Sequence, residues 1–391
     1  AVAVAFAKYT AYFFPVFSAD HVVLDLRFIH ISAAQLLAIG SILLLTYLNS
    51  RGIQNGKIIQ LLFTSAKIFA LLALLVLGLA IGLRGPVLAE NFRHAWQASS
   101  YTLNAAGTGS IVQSLSGMAL VLALGTAIIG SLFSSDAWNN VTFIAGEIRN
   151  PRKNIPLSLL LGTSLVTVLY LLANVAYLSL LPLHGDPAGH EPMTQGIMYA
   201  GGLSGGVPVD RVGTAAASMI FGGVAAAMMA ALVMISTFGC NNGLILSGAR
   251  VYYAMASDGL FFRRAATLNR RKVPGFALLV QAAWASVLCL SGTYGDLLDY
   301  ATFASLLFYI ITISGVFRLR WKEPQAERPY RVIGYPFVPL LYILLAASIC
   351  VILLITKTQN AGFGLLIVAL GIPVFYINKI FIRKKAGPAG G

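Results

Sequence analysis

The sequence predicts an all-α polytopic membrane protein, and three observations carry that prediction. Of its 391 residues, 58% are hydrophobic and only 10% are charged, whereas soluble domains carry about 25% charged residues. Apolar stretches near the ~20 residues that a helix needs to cross a bilayer recur along nearly the whole chain. Between them lie short loops that are basic or rich in Gly and Pro, with no polar segment long enough for a separate soluble domain. One helical domain over residues 1–391 is the economical reading, because a helix satisfies its own backbone in lipid.

Spans are expected at 1–16 (partial), 31–48, 59–82, 115–147, 157–181, 212–255, 276–290, 298–317, 338–355 and 362–381. The opening run is too short to cross a bilayer and has no basic segment before it, so it reads as the end of a longer helix rather than a signal peptide. The 212–255 run is much longer than a bilayer is thick. It is expected to be one long helix whose end projects into the basic segment 260–272. Residues 386–391 read as a flexible tail.

The net charge of +14 raises the question of nucleic acid, but the basic residues sit between apolar spans and form no basic domain. Topology explains them. Loops around 51–57, 149–153, 250–272, 318–331 and 379–385 hold most of the 27 lysines and arginines and fall on one side if the spans alternate. By the positive-inside rule that side, with the C-terminus, is cytoplasmic. The opposite loops mix signs, with Arg84, Glu90, Arg93, Asp186, Glu191 and Arg211 among them.

Little else points to reaction chemistry. Cys240, Cys289 and Cys350 lie in or at the ends of apolar spans, where cysteine behaves as a small hydrophobe, and no disulfide framework or metal spacing is present. His184, Asp186, His190 and Glu191 lie close together in an outer loop rich in Gly and Pro. They read as a solvated turn without metal-ligand geometry, so no metal and no cofactor are assigned. A membrane-embedded enzyme or haem protein would need ligating groups at membrane depth, yet all five histidines fall in loops or at span ends.

The most informative stretch is Gly130-Ser-Leu-Phe-Ser-Ser-Asp-Ala-Trp-Asn-Asn140. It places serines, an aspartate and asparagines inside a span otherwise built of Leu, Ile, Val and Ala. Polar groups at membrane depth are costly unless partnered, and these types compete for local backbone hydrogen bonds. The run therefore favours an interrupted helix, of the kind that forms midplane binding sites in secondary transporters. A kinked helix packed on polar neighbours is the plainer alternative.

Lys67 lies in Phe63-Thr-Ser-Ala-Lys67-Ile-Phe-Ala, roughly 12 Å inside its span by the ~1.5 Å rise per residue. An ammonium near a helix centre costs ~2.5–3.5 kcal/mol unless paired, and snorkelling to the interface is the alternative. Asn241 and Asn242, near Gly239 and Gly243, read as hydrogen-bonding groups where two backbones approach closely.

Three ordered motifs now become recognisable. Ser134-Ser-Asp-Ala-Trp-Asn-Asn-Val-Thr-Phe-Ile-Ala-Gly-Glu-Ile-Arg-Asn-Pro-Arg-Lys-Asn-Ile-Pro156 resembles the sixth helix and following loop of the amino acid/polyamine/organocation superfamily. It is most similar to the L-type amino acid transporter and bacterial serine/threonine exchanger branch. Ser236-Thr-Phe-Gly-Cys-Asn-Asn-Gly-Leu-Ile-Leu-Ser-Gly-Ala-Arg250 resembles that branch's eighth helix. Arg318-Leu-Arg-Trp-Lys-Glu-Pro-Gln-Ala-Glu-Arg-Pro-Tyr330 resembles its loop after helix ten.

The resemblance runs from residue 1 to about 383. It implies an inverted five-plus-five helix repeat with two additional C-terminal helices, the spans here matching helices three (partial) to twelve and helices one and two absent. It also implies a carrier of amino acids, working by sodium-independent alternating access through exchange or proton coupling.

By the same resemblance, Phe133 matches a gating aromatic and the backbone of Ser134, Ser135 and Asp136 receives the substrate's amino group, with Ala137, Trp138 and Asn139 beside it. Where many relatives have an aromatic pair and a Gly before Trp138, this chain has Ser134, Ser135 and Ala137. Lys67 matches a lysine that stands in for a bound sodium ion, and would donate to Ser236 or Thr237, with Gly239 and Asn241 behind them.

A neutral substrate is expected because the pocket holds one acid, Asp136, and no arginine. A cationic amino acid, drawn by Asp136, and an inert fragment of a transporter are the alternatives. Asp136 could instead cap exposed N–H groups of the unwound segment. In the eukaryotic L-type branch an outer-loop cysteine links to a glycoprotein subunit, but Ser18-Ala-Asp-His21 holds none. A single-subunit carrier in the bacterial inner membrane, partnered by the lipid bilayer and its small-molecule substrate, is the expectation.

Overall fold

Every apolar stretch read from the sequence contains helix in the computed structural model. It describes residues 1–385 except 20, 27–28, 94, 105–108, 144, 205–206, 209–210 and 329–330; the expected tail, 386–391, lies outside the described residues. In chain order the helices are α1 (Val2–Thr10), α2 (Ala33–Ser50), α3 (Ile53–Gly82), α4 (Val87–Phe92), α5 (Gly117–Ser134), α6 (Asn140–Phe143) and α7 (Pro151–Leu180). They continue with α8 (Pro192–Gln195), α9 (Val212–Phe221), α10 (Ala225–Ser257), α11 (Gly275–Cys289), α12 (Tyr294–Lys322), α13 (Phe337–Thr356) and α14 (Thr358–Lys385). Among the described residues, eight stretches are long and apolar enough to cross a membrane, and α11 adds a shorter apolar helix of 15 residues.

Among the described residues, three antiparallel hairpins join these helices: β1 (Val22–Leu26) with β2 (Ile29–Ser32), β3 (Ser99–Leu103) with β4 (Ser110–Ser114), and β5 (Leu203–Ser204) with β6 (Val207–Pro208). All three fall in connections that the charge pattern puts on the non-basic side.

Local chemistry sets the helix ends. Ser32 and Gln35 form a reciprocal capping box at the start of α2, with Ser32 N–H donating to Gln35 Oε1 at 2.9 Å, which satisfies donors that the first turn leaves open. Asn150 takes a left-handed φ of 51° and Pro151 occupies the first turn of α7, where a missing N–H costs nothing. That helix therefore starts six residues before the expected 157. At its far end, Asn91 of α4 donates to the carbonyls of Leu178 and Leu181 at 2.8 and 2.9 Å, covering acceptors that a helix end exposes.

One expectation is corrected. Residues 212–255 are not a single helix: Gly222, at φ 65°, opens a 3-10 turn, Gly222–Val224, that separates α9 from α10. Glycine adopts positive φ without a Cβ clash, and the apolar residues on both sides hide the break from a reading by hydropathy. With 33 residues, α10 alone is ~50 Å long, still longer than the ~30 Å hydrocarbon core.

Packing relies on small residues, as expected where helices must approach without a hydrophobic drive. Ala3 and Ala7 of α1, Ala34 and Ala38 of α2, and Ala282 of α11 form one buried cluster. A second cluster joins Ile129 of α5, Phe303 and Leu306 of α12, Ala346 and Cys350 of α13, and Ala361 of α14. Gly125 lets α5 close on α13: a Cβ there would lie 2.4 Å from Ile352 Cδ1. Large apolar side chains such as Leu61, Phe69, Val76 and Ile372 face outward, as lipid-facing surfaces do.

Candidate functional site

The helix that carries the polar run comes apart where its residues compete with the backbone. α5 stops at Ser134, residues 135–139 are turns, and α6 resumes at Asn140. Ser134 Oγ donates to the Ser131 carbonyl at 3.0 Å, and the Ser135 and Asp136 N–H groups bond back to Ser131 and Phe133 at 3.1 and 3.2 Å. Ala137 then takes φ 63°, a left-handed conformation that non-glycine residues rarely adopt. This is the position where the resemblance leads one to expect glycine. Beyond it, Asn140 N–H bonds to the Ala137 carbonyl at 3.1 Å and restarts the helix.

The interruption leaves acceptors open. Among the described residues, no main-chain N–H closes on the carbonyls of Ser134, Ser135 or Asp136. The Ser134 carbonyl receives the hydroxyl of Tyr170, on α7, at 3.1 Å. Phe133 meets the Tyr294 ring edge-on, with centroids 6.3 Å apart. The Trp138 ring lies 6.0 Å from that of Tyr309 on α12, and Trp138 is 45% exposed.

Asp136 does not cap the unwound N–H groups. Its Oδ1 accepts the Tyr309 hydroxyl at 2.5 Å and its Oδ2 accepts the Ser305 hydroxyl at 3.4 Å, both from α12. The Asn139 side chain lies beside the same phenol. Sequence reasoning passed over Tyr170, Ser305 and Tyr309. The signal was present for the latter two, which stand four apart in an otherwise apolar run and so share one helix face.

Lys67 sits on the part of α3 that packs along α10. Among the described residues it shows no hydrogen bond or ion pair; the Cys240 thiol lies within electrostatic reach of its ammonium. The Thr237 hydroxyl donates to the Val233 and Met234 carbonyls of its own helix, at 2.8 and 3.1 Å, which leaves its lone pairs free to accept. Ser236 stands beside it on α10, and no bond from Lys67 to either hydroxyl is formed.

Close approach of the two helices explains Gly239, where a Cβ would lie 2.6 Å from Phe63 Cβ. The neighbouring Phe238 ring packs between Phe6 and Phe63, at 5.4 and 5.7 Å. Asn241 is buried with its Nδ2 unpartnered, while Asn242 accepts from Asn49 of α2 at 2.8 Å.

The outer-loop histidine cluster disperses. His184 stacks on Tyr101 at 4.7 Å, Asp186 Oδ1 accepts the Ala188 N–H at 2.9 Å, and Glu191 caps the start of α8. Two small cavities lie away from the break, one lined by Asn49, Arg250 and Pro274 and the other by Lys8, Tyr12 and Arg211.

With this geometry in place, similarity to known proteins becomes informative. A sequence model of the family described as amino acid permease matches residues 1–375. The chain is 26% identical over 359 residues to the Asc-type amino acid transporter 1 of Mus musculus, covering 90% of this chain and 59% of that protein. It is 28% identical over 356 residues to the serine/threonine exchanger of Bacillus subtilis (strain 168), covering 90% and 70%. To the large neutral amino acids transporter small subunit 2 of Homo sapiens it is 26% identical over 358 residues, covering 90% and 59%. The chain thus spans about three-fifths of the mouse and human proteins. All three are transporters and none is an enzyme.

Proposed function

The chain belongs to the amino acid permease family, and from that premise we propose that it carries amino acids across a membrane by alternating access around the α5–α6 break. One observation carries the reading: the carbonyls of Ser135 and Asp136, at the end of α5, have no main-chain donor among the described residues. Helix C-terminal carbonyls bear partial negative charge, which suits the ammonium of a zwitterion. Broken helices of this kind form the sites of secondary transporters. In this reading Phe133 and Trp138 flank the substrate, with Ser134, Ala137 and Asn139 shaping the turn.

A neutral cargo is favoured because Asp136 is engaged by Tyr309 and Ser305 and is the one ionisable group within residues 130–140. The relatives that are a serine/threonine exchanger and a large neutral amino acids transporter point the same way. Lys67, facing α10 near Ser236 and Thr237, supplies a fixed positive charge in place of sodium, with Gly239 and Asn241 setting the spacing of the two helices. The basic loops support a cytoplasmic C-terminus by the positive-inside rule, and a carrier of the inner membrane without a disulfide-linked glycoprotein is the reading that accompanies it.

The test is uptake of radiolabelled alanine into proteoliposomes. Unlabelled serine and leucine are expected to compete, arginine at equal concentration is not, and replacing sodium by choline leaves the rate unchanged. Absence of uptake, or competition by arginine alone, overturns the reading.

A further inference from the structure

We propose that Tyr309 sets the charge preference of this site by holding the Asp136 carboxylate against α12; the inference rests on the reading of the α5–α6 break as the binding site. Asp136 lies between Phe133 and Trp138 in the turn whose carbonyls are open. A carboxylate left free there would add a full negative charge to the partial charges of the Ser135 and Asp136 carbonyls. That combination would recruit substrates bearing a second ammonium or a guanidinium.

The geometry works against it. Tyr309 donates to Oδ1 at 2.5 Å and Ser305 to Oδ2 at 3.4 Å, so each oxygen already accepts a hydroxyl from one face of α12. Hydrogen bonds to an ionised acceptor are among the strong ones. The phenol ring is itself flanked by the Trp138 ring, 6.0 Å away. A cationic side chain would compete with the phenol for Oδ1 and would meet the charge only through the lone pairs that the two hydroxyls leave open. Tyr309 thus acts as a specificity-determining residue through Asp136, without touching the substrate's backbone groups.

The experiment compares uptake of labelled alanine and arginine in proteoliposomes of the unaltered protein, Tyr309→Phe, Tyr309→Gln, Ser305→Ala and Tyr309→Phe/Asp136→Asn. Losing a hydrogen bond to a charged group corresponds to roughly tenfold or more in an equilibrium. Tyr309→Phe is therefore expected to raise the arginine-to-alanine ratio by about tenfold. Ser305→Ala raises it less, because its contact is longer. Tyr309→Gln, which keeps a donor, stays near the unaltered ratio, and the double variant returns to it because the freed charge is gone.

A purely structural role would lower both rates together and leave the ratio unmoved, and that result overturns the proposal. So does a double variant that keeps the raised ratio. If Tyr309→Phe does not fold, an unmoved ratio in Ser305→Ala overturns it equally. Failure of the unaltered protein to take up either amino acid removes the site itself and this inference with it. Uptake with an unmoved ratio removes only the role of Tyr309.

Discussion

Asn49 of α2 donates from Nδ2 to the side-chain oxygen of Asn242 of α10 at 2.8 Å, and Asn242 is fully buried. The same Nδ2 also reaches the Leu45 carbonyl at 2.9 Å, so one amide ties a helix end to its neighbour. Interhelical bonds of this kind contribute about 0.6–2 kcal/mol in membrane proteins. Asn49→Ala is expected to lose about 1–2 kcal/mol in a detergent unfolding titration. Adding Asn242→Ala should cost less in that background than alone, and strict additivity would mean that the bond contributes nothing.

Lys357, between α13 and α14, binds both carboxylate oxygens of Asp299 at 2.9 Å. Asn360 donates to the same acid at 2.8 Å, and Asp299 is only 4% exposed. Removing Lys357 leaves the buried carboxylate uncompensated; because the lysine itself is 37% exposed, the cost lies below the ~3–5 kcal/mol of a fully buried pair, at about 2 kcal/mol. Lys357→Met should therefore melt well below the unaltered protein, and Lys357→Met/Asp299→Asn should recover most of the loss. A single variant as stable as the double one would refute the pairing.

Ala137 is held at φ 63°, a conformation that costs an L-residue about 1–2 kcal/mol. Ala137→Gly should relieve that strain and raise the unfolding free energy by about 1 kcal/mol, less the entropy gained by the unfolded chain. An unchanged or lowered melting point would show that the turn gains something from the methyl group.

Lys67→Met removes the charge proposed to replace sodium while keeping the length of the side chain. Alanine uptake is expected to fall by about tenfold, a change of ~1.4 kcal/mol. Full activity in this variant, with or without sodium, would remove Lys67 from the mechanism.

How much of this was legible beforehand depends on where each signal sits in the chain. The spans were readable because lipid demands long apolar helices, and the α5–α6 break was readable because Ser134, Ser135, Asp136 and Asn139 interrupt one. The break at Gly222 was not, since Phe221 and Val224 keep the surroundings apolar and only the backbone changes. The hairpins lie in connections between spans, on strands of two to five residues that are too short to show a periodicity. Tyr309 looked like one more aromatic in an apolar run, because its meaning comes from Asp136, 173 positions away. The Lys357–Asp299 pair was missed for the same reason, its two members being 58 positions apart.

The Asp299–Lys357 clasp also limits which parts of the bundle can shear. The reversal between α13 and α14 takes a single residue, and that residue is bolted to α12. Sliding the pair past α12 would bare an anion in a greasy interior. Any relative movement of the helices would have to carry these three together, as one slab.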